Sequence, residues 1–121
     1  MERLTRAEEE VMQVLWRIGP AFVKDIRQAM PKPRPAITTV STIVRILEAK
    51  GFVDHEVMGR SHRYSARVLK AEYGHRSARR LLKDYFAGSP QALVSSFIER
   101  ADIDARELEA LIALLKQQRK R

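Results

Sequence analysis

The chain has 121 residues, 45% of them hydrophobic, which fits one small folded domain or a domain with an extension. It carries 23 Lys and Arg against 15 Asp and Glu, so a polyanion is the first partner to consider. The absence of cysteine excludes disulfides, thiolate metal sites and cysteine nucleophiles. Because neither a signal peptide nor a run of roughly 18 apolar residues is present, we expect a cytoplasmic protein without membrane insertion.

Two helices are predicted at the start of the chain. Thr5 and Glu8 match a capping box, and apolar residues at helical spacing between residues 7 and 18 predict the first helix. The second, shorter helix is predicted to end at Pro31 and carries the apolar residues Val23, Ile26 and Met30. Residues 31–35 read PKPRP, which cannot be helix interior and therefore predicts a stiff connector.

The third helix is predicted to begin just after Pro35 and to run to Lys50, with Gly51 as its C-cap stop. One stripe of it is apolar and consists of Val40, Ile43, Val44 and Leu47. A second stripe, about 200° around the helix at ~100° per residue, consists of Thr38, Ser41, Thr42 and Arg45. Short hydroxyls and one arginine opposite a buried stripe fit the major groove of DNA, where they contact phosphates or base edges. The alternative is an ordinary amphipathic surface helix.

A basic segment and a hairpin surround this helix. From Pro31 to Leu47 the chain holds Lys32, Arg34 and Arg45 and no acidic residue. Alternating residues on both sides of the turn at 58–60 predict two short antiparallel strands. Three short helices followed by a hairpin form a winged helix-turn-helix. We therefore predict a mainly α protein with a winged helix-turn-helix DNA-binding domain in residues 1–68 that has a two-stranded wing.

Residues 69–121 are predicted to form three further helices. The fourth ends at Gly88, Ser89-Pro90 opens the fifth, and the pair Asp104 and Glu107 opens the sixth. A chain of this size is too small to cover the apolar faces of these three helices. We therefore predict a helical dimerisation domain that pairs with a second copy. The residues expected in that seam are Leu93, Phe97, Leu108, Leu111, Ile112 and Leu115. The alternative is a monomer in which these helices fold back on the N-terminal domain.

With these elements in place, the chain resembles the penicillinase-repressor family, the BlaI/MecI regulators and their copper-responsive CopY relatives. The matching segments are LTRAEEEVMQVLW (Leu4–Trp16), TTVSTIVRILEAKGFVDH (Thr38–His55), GSPQALVSSFIER (Gly88–Arg100) and DARELEALIALLK (Asp104–Lys116). The resemblance covers nearly the whole chain. It implies a cytoplasmic, homodimeric transcriptional repressor whose winged-helix domains bind a palindromic double-stranded DNA operator.

The resemblance also implies which residues face DNA. On the third helix they are Thr38, Thr39, Ser41, Thr42 and Arg45. On the wing, Arg60 and Arg63 would contact phosphate or the minor groove. The alternative is that both are solvent-exposed charges of the hairpin that do not contact DNA. Lys32 and Arg34 either contact the DNA backbone or are simply solvated, and the sequence favours neither alternative.

The same resemblance suggests how the protein is released from DNA. Family members that answer to β-lactams are cut inside the fifth helix at an asparagine–phenylalanine bond, by a membrane sensor protease acting as partner. The corresponding pair here is Ser96-Phe97, which keeps the phenylalanine and lacks the asparagine, so it is a candidate cleavage site only. The paired cysteines of the copper-responsive relatives are absent, which excludes copper sensing by that route.

No pattern in the chain predicts an enzyme. A glycine-rich phosphate loop, an H-E-x-x-H helix and a serine elbow are all missing, so we expect neither catalytic residues nor a cofactor. His55 and His62 face each other across the predicted hairpin and could take zinc, but with no further ligand evident we expect no metal site. The alternative function is a protein-interaction module in which the winged helix serves only as scaffold. A third possible function is DNA binding that is controlled by a small molecule.

Overall fold

The computed structural model describes residues 3–119, so the outermost residues of the two predicted domains lie outside it. Its elements in chain order are α1 (Arg6–Ile18), β1 (Ala21–Phe22), α2 (Val23–Gln28), α3 (Ile37–Ala49), β2 (Val53–Met58), β3 (Ser61–Ala66), α4 (Lys70–Tyr85), α5 (Pro90–Glu99) and α6 (Ala105–Arg119). The chain divides within α4 into two compact units, of which the first ends at Gly74 and the second begins at His75.

The first unit is the predicted winged helix-turn-helix, with one strand more than expected. Its antiparallel sheet has the order β1-β3-β2, and Tyr64 on β3 lies opposite both Ala21 on β1 and His55 on β2. The predicted two-stranded wing is formed by β2 and β3, and β1 was not predicted because it has only two residues, too few to show an alternating pattern.

Residues from all three helices and the sheet form the core of this unit. Val11, Ile26, Val44 and Phe52 are completely buried. The predicted end of the second helix is corrected, since α2 ends at Gln28. Met30 is nevertheless 4% exposed, because the turn that follows α2 folds back into the core. Helix α3 begins just after Pro35 as predicted, with Ala36 as its N-cap, and ends one residue earlier than predicted, with Lys50 rather than Gly51 as its C-cap.

The predicted capping box of α1 is confirmed, and it includes a partner that the sequence did not reveal. The Thr5 amide donates to Glu8 Oε1 at 2.8 Å, and the Glu8 amide donates to Thr5 Oγ1 at 3.2 Å. Lys50 Nζ also donates to both carboxylate oxygens of Glu8, at 2.8 and 3.0 Å. Burial raises the pKa of Glu8, but the hydrogen bonds from Lys50 and Thr5 lower it more, so it lies below its usual value. The C-terminal end of α3 is thereby joined to the start of α1.

Aromatic contacts hold the first turn of α4 within the same unit. The Tyr73 hydroxyl accepts a hydrogen bond from the Leu4 amide at 3.2 Å. Its ring lies 6.1 Å from the Trp16 ring and 5.6 Å from the Phe52 ring. Trp16 Nε1 donates to the Val68 carbonyl at 2.9 Å, so the segment that leaves β3 is fixed as well.

The second unit begins its helices where the sequence predicts. Ser89 Oγ accepts from the Ala92 amide at 3.1 Å at the start of α5, with proline in the first position. Asp104 Oδ1 accepts from the Glu107 amide at 2.9 Å at the start of α6. None of the residues of α5 is buried. Over residues 3–119, no helix is long and apolar enough to cross a membrane.

Candidate nucleic-acid interface

Helix α3 separates the two predicted stripes cleanly. Its apolar residues Val40, Ile43, Val44 and Leu47 are buried in the core. The outward residues Thr38, Thr39, Thr42 and Arg45 are exposed, and Ser41 is half-buried. All five helix residues predicted to face DNA therefore lie on or beside one accessible surface.

The polar side chains on this surface bond to their own helix. Thr42 Oγ1 donates to the Thr38 carbonyl at 3.0 Å, which satisfies its hydroxyl hydrogen and leaves the oxygen able to accept. Arg45 Nε donates to the Ser41 carbonyl at 3.3 Å. This bond keeps the guanidinium along the helix, while its terminal Nη groups remain able to donate to a phosphate or a base edge.

The N-terminal end of α3 is open to an anion. Its N-cap, Ala36, has an extended backbone and provides no side-chain hydrogen bond, and the first turn contains no acidic residue. The unpaired amides and the positive end of the helix dipole favour a negative group at this position. A DNA phosphate has the chemistry that this helix end attracts.

The connector before α3 is fixed by an arginine that the sequence did not single out. Arg27 Nε donates to the Pro35 carbonyl at 2.7 Å. Lys32 is exposed, whereas Arg34 is half-buried and its Nε atom is buried without a hydrogen-bond partner. The connector thus presents Lys32 freely and Arg34 partly.

The two wing arginines differ in their surroundings. Arg60 lies exposed in the turn after Gly59, whose φ of 64° only glycine adopts readily. Arg63 lies opposite Glu56 in the β2–β3 register, and its Nη2 contacts Glu56 Oε1 at 2.5 Å. Arg63 therefore has a carboxylate competing for it, whereas Arg60 makes no ion pair with any residue between 3 and 119.

An open cleft of about 520 Å³ lies between α3 and the wing. Its lining includes Ser41 from α3, Arg60 and Ser61 from the wing, and Lys24 from the first turn of α2. Sequence reasoning missed Lys24, because nothing in its local spacing relates it to the wing. With Lys24 and Arg60 both lining it, the cleft is suited to an anionic group.

The only carboxylate of α3 is turned toward the sheet. Glu48 Oε2 contacts His55 Nδ1 at 2.5 Å, and the His55 ring stacks on the His62 ring with centroids 4.2 Å apart. Burial, and next the Glu48 charge, raise the pKa of Tyr64 beside them. Among residues 3–119, no three histidine, aspartate or glutamate side chains form a metal-binding group. The histidine pair instead lies on the wing, where His55 contacts Glu48 of α3 and His62 stacks on His55.

The predicted seam residues lie on helices of the second unit. Phe97 is 42% exposed, and Leu111, Ile112 and Leu115 are exposed to a similar degree. Leu93 and Leu108 are half-buried. The candidate cleavage pair, Ser96 and Phe97, lies inside α5. These assignments stay predictions.

Comparison with known proteins identifies the family. The penicillinase repressor family profile matches residues 4–117. The chain is 24% identical over 115 residues to the methicillin resistance regulatory protein MecI of Mammaliicoccus sciuri, covering 94% of each chain. It is 22% identical over 120 residues to the penicillinase repressor of Bacillus licheniformis, covering 98% of this chain and 94% of that protein.

Two solved structures are also similar. One, described as showing regulation of DNA binding of Bordetella bronchiseptica BpsR by 6-hydroxynicotinic acid, is 18% identical, has a TM-score of 0.49, and covers 99% of this chain and 78% of that one. The other is an ArsR-like transcriptional regulator from Rhodococcus, 22% identical, with a TM-score of 0.47 and coverage of 77% and 80%. Because the family profile spans nearly the whole chain, the protein belongs to the penicillinase-repressor family of DNA-binding transcriptional regulators.

Proposed function

We propose that the protein is a homodimeric transcriptional repressor that binds a palindromic DNA operator through α3 and the wing. The observation that carries this proposal is the outward face of α3. Its hydroxyls and Arg45 are accessible, and its one carboxylate, Glu48, is held against His55. An exposed helix face with donors and no repelling charge is suited to the major groove.

Each predicted contact residue has a role in this proposal. Arg45 reaches a base edge or a phosphate, and the hydroxyls of Thr38, Thr39, Ser41 and Thr42 contact phosphates or bases at close range. The open N-terminus of α3 faces a phosphate. Arg60 and Arg63 bring the wing to the backbone or the minor groove, and Lys32 and Arg34 contact the backbone before α3. Charge and exposure support Arg60 and Lys32 more strongly than Arg63, which contacts Glu56, and Arg34, which is half-buried.

Dimerisation is proposed through α5 and α6. Phe97 and Leu111 leave nearly half of their surface exposed, and neighbouring apolar residues on these helices are similarly uncovered. A second copy would remove this apolar area from water. Two DNA-binding domains related by a two-fold axis would then read two half-sites and combine their affinities.

Release is proposed to follow cleavage near Ser96-Phe97 by a partner sensor protease, or another signal that acts on the same helices. Within a single chain none of the residues of α5 is buried, so the proposed dimer contact is what would oppose the local opening that a protease requires. Loss of the chain beyond Ser96 would remove α6 and part of α5, and with them the avidity of the dimer.

A selection from a mixed duplex library tests the proposal. The retained DNA is sequenced at near-physiological salt, and light scattering measures the mass of the protein. We expect a palindrome to be enriched by a dimer. Salt-sensitive retention without any enriched sequence would overturn the repressor assignment and favour the protein-interaction module, because the basic surface would then be only an electrostatic patch.

A further inference from the structure

A row of cations lies on one face of α4, outside the interface described above. Arg76, Arg79, Arg80 and Lys83 follow each other at i, i+3, i+4 and i+7, so their side chains share one side of the helix. We call the part formed by Arg79, Arg80 and Lys83 the α4 basic face. It lies in the second unit of the chain.

The charge of the α4 basic face is not neutralised within the described part of the chain. Arg79, Arg80 and Lys83 make no ion pair with any residue between 3 and 119. Asp84 is the one acidic residue in the stretch 73–98, and at ~100° per residue it lies about a quarter turn from the middle of the row. Like charges one turn apart repel, so an anionic partner at this face would be stabilising.

The same face borders an open cleft of about 700 Å³. Its lining combines Arg79, Arg80, Lys83 and His75 with Gly88 and Pro90 at the start of α5. The first turn of α5 contains no acidic residue, so the positive end of that helix adds to the field of the side chains. Side-chain charge and helix dipole thus have the same sign at this place.

The arrangement of the cations favours an extended polyanion. Arg79 and Lys83 are separated by about 6 Å along the helix axis, at 1.5 Å per residue. They form a line along the helix rather than converging on one point, and neither forms an ion pair with a carboxylate in the described residues. We propose that the α4 basic face contacts the phosphodiester backbone of DNA and adds sequence-independent affinity. This inference rests on the proposed operator binding, which it extends to a second protein surface.

Neutralising two of these charges tests the proposal. The double variant Arg79→Gln, Lys83→Gln is compared with the matched control Arg106→Gln, Lys116→Gln, which removes the same charge from α6. Anisotropy titrations across a salt series use the selected operator and a scrambled duplex of equal length. We expect the slope of log affinity against log salt to become shallower by up to about 1.8 in the α4 variant, at 0.9 per phosphate contact. The control should keep the wild-type slope.

The two duplexes separate this proposal from the proposed function. Because the contact involves phosphates, both should lose affinity equally, and the ratio of specific to non-specific binding should stay constant. A slope equal to that of the α6 control overturns the proposal. So does a loss of affinity that light scattering traces to dissociation of the dimer. If the wild-type protein shows no preference for any sequence but the α4 effect persists, the repressor assignment fails and the α4 contact stands.

Discussion

Arg45 combines an exposed position with a guanidinium held along α3. Its Nε bond to the Ser41 carbonyl restricts the side chain before any DNA is present. A side chain that is already restricted loses less conformational entropy on binding. Among the outward residues of α3, Arg45 is therefore the one that we expect to discriminate bases most strongly.

Arg45→Ala should weaken operator binding by about 1 to 3 kcal/mol and relax the preference at one base pair in each half-site, if the contact is bidentate. Repeating the library selection and the anisotropy titration with the variant measures both effects. Arg6→Ala is the control, because Arg6 is on α1 with a side chain that is 94% exposed and pairs with Glu10 on the same helix. Wild-type affinity and preference in Arg45→Ala would remove this residue from the interface.

Glu8 supplies a prediction about stability and pH. Since its pKa is below the usual value in the folded chain, the ion pair with Lys50 stabilises the fold above the unfolded pKa. This contribution is lost as the pH falls below about 4.5 and through the lower folded pKa. Glu8→Gln keeps a residue compatible with the capping box and removes the charge.

We expect Glu8→Gln to lower the free energy of unfolding by about 2 to 3 kcal/mol at neutral pH, because the variant removes the charge-assisted hydrogen bonds between the Lys50 ammonium and the buried Glu8 carboxylate. Urea titrations at pH 7 and at acidic pH measure the difference, which should shrink on acidification. A difference that is constant with pH would show that the ion pair contributes nothing through its charge.

At the scale of elements, the wing can be used to test whether the Glu56 carboxylate competes with DNA for Arg63. Glu56 contacts Arg63 across the β2–β3 register, whereas Arg60 is exposed in the turn. Glu56→Gln should strengthen DNA binding and steepen its salt dependence, since it releases one cation and removes one repelling charge. Arg60→Gln should make the slope shallower by about 0.9. Anisotropy titrations at several salt concentrations distinguish these results, and wild-type affinity and salt dependence in both variants would place the wing away from DNA.

Helical spacing was sufficient to predict the faces of α1 and α3, because a stripe of buried residues repeats within each element. Local capping patterns likewise predicted where α1, α5 and α6 begin. The strand β1, the Lys50 partner of Glu8 and the position of Lys24 beside the wing were not predictable in this way. Each depends on residues far apart in the chain, whose pairing leaves no local periodic signal.

At the scale of the whole molecule, the two units differ in how much apolar surface they bury. The first has a continuous core in which residues such as Val11 and Phe52 are fully buried. The second leaves Phe97, Leu111 and Leu115 substantially exposed. The sequence predicted this excess of apolar surface from composition and spacing. The partner that covers it is proposed to be a second copy.

Leu111→Asp should convert the dimer to a monomer, because it introduces a carboxylate into the proposed apolar seam. Operator affinity should fall with the loss of avidity, while the first unit stays folded. Light scattering gives the mass, and near-ultraviolet circular dichroism of Trp16 reports on the first unit. Gln117→Asp adds the same charge on the opposite side of α6 and should remain dimeric. A dimer in Leu111→Asp would exclude α6 from the seam.

The separation of α3 into a buried face and an outward face affects how a repressor can acquire a new operator. The buried residues Val40, Val44 and Leu47 support the fold, whereas the outward side chains of Thr42 and Arg45 bond to carbonyls of their own helix. Mutations at Thr38, Thr42 or Arg45 should therefore alter sequence preference with little loss of stability. Related repressors can diverge in their target genes through these few codons while the rest of the domain stays unchanged.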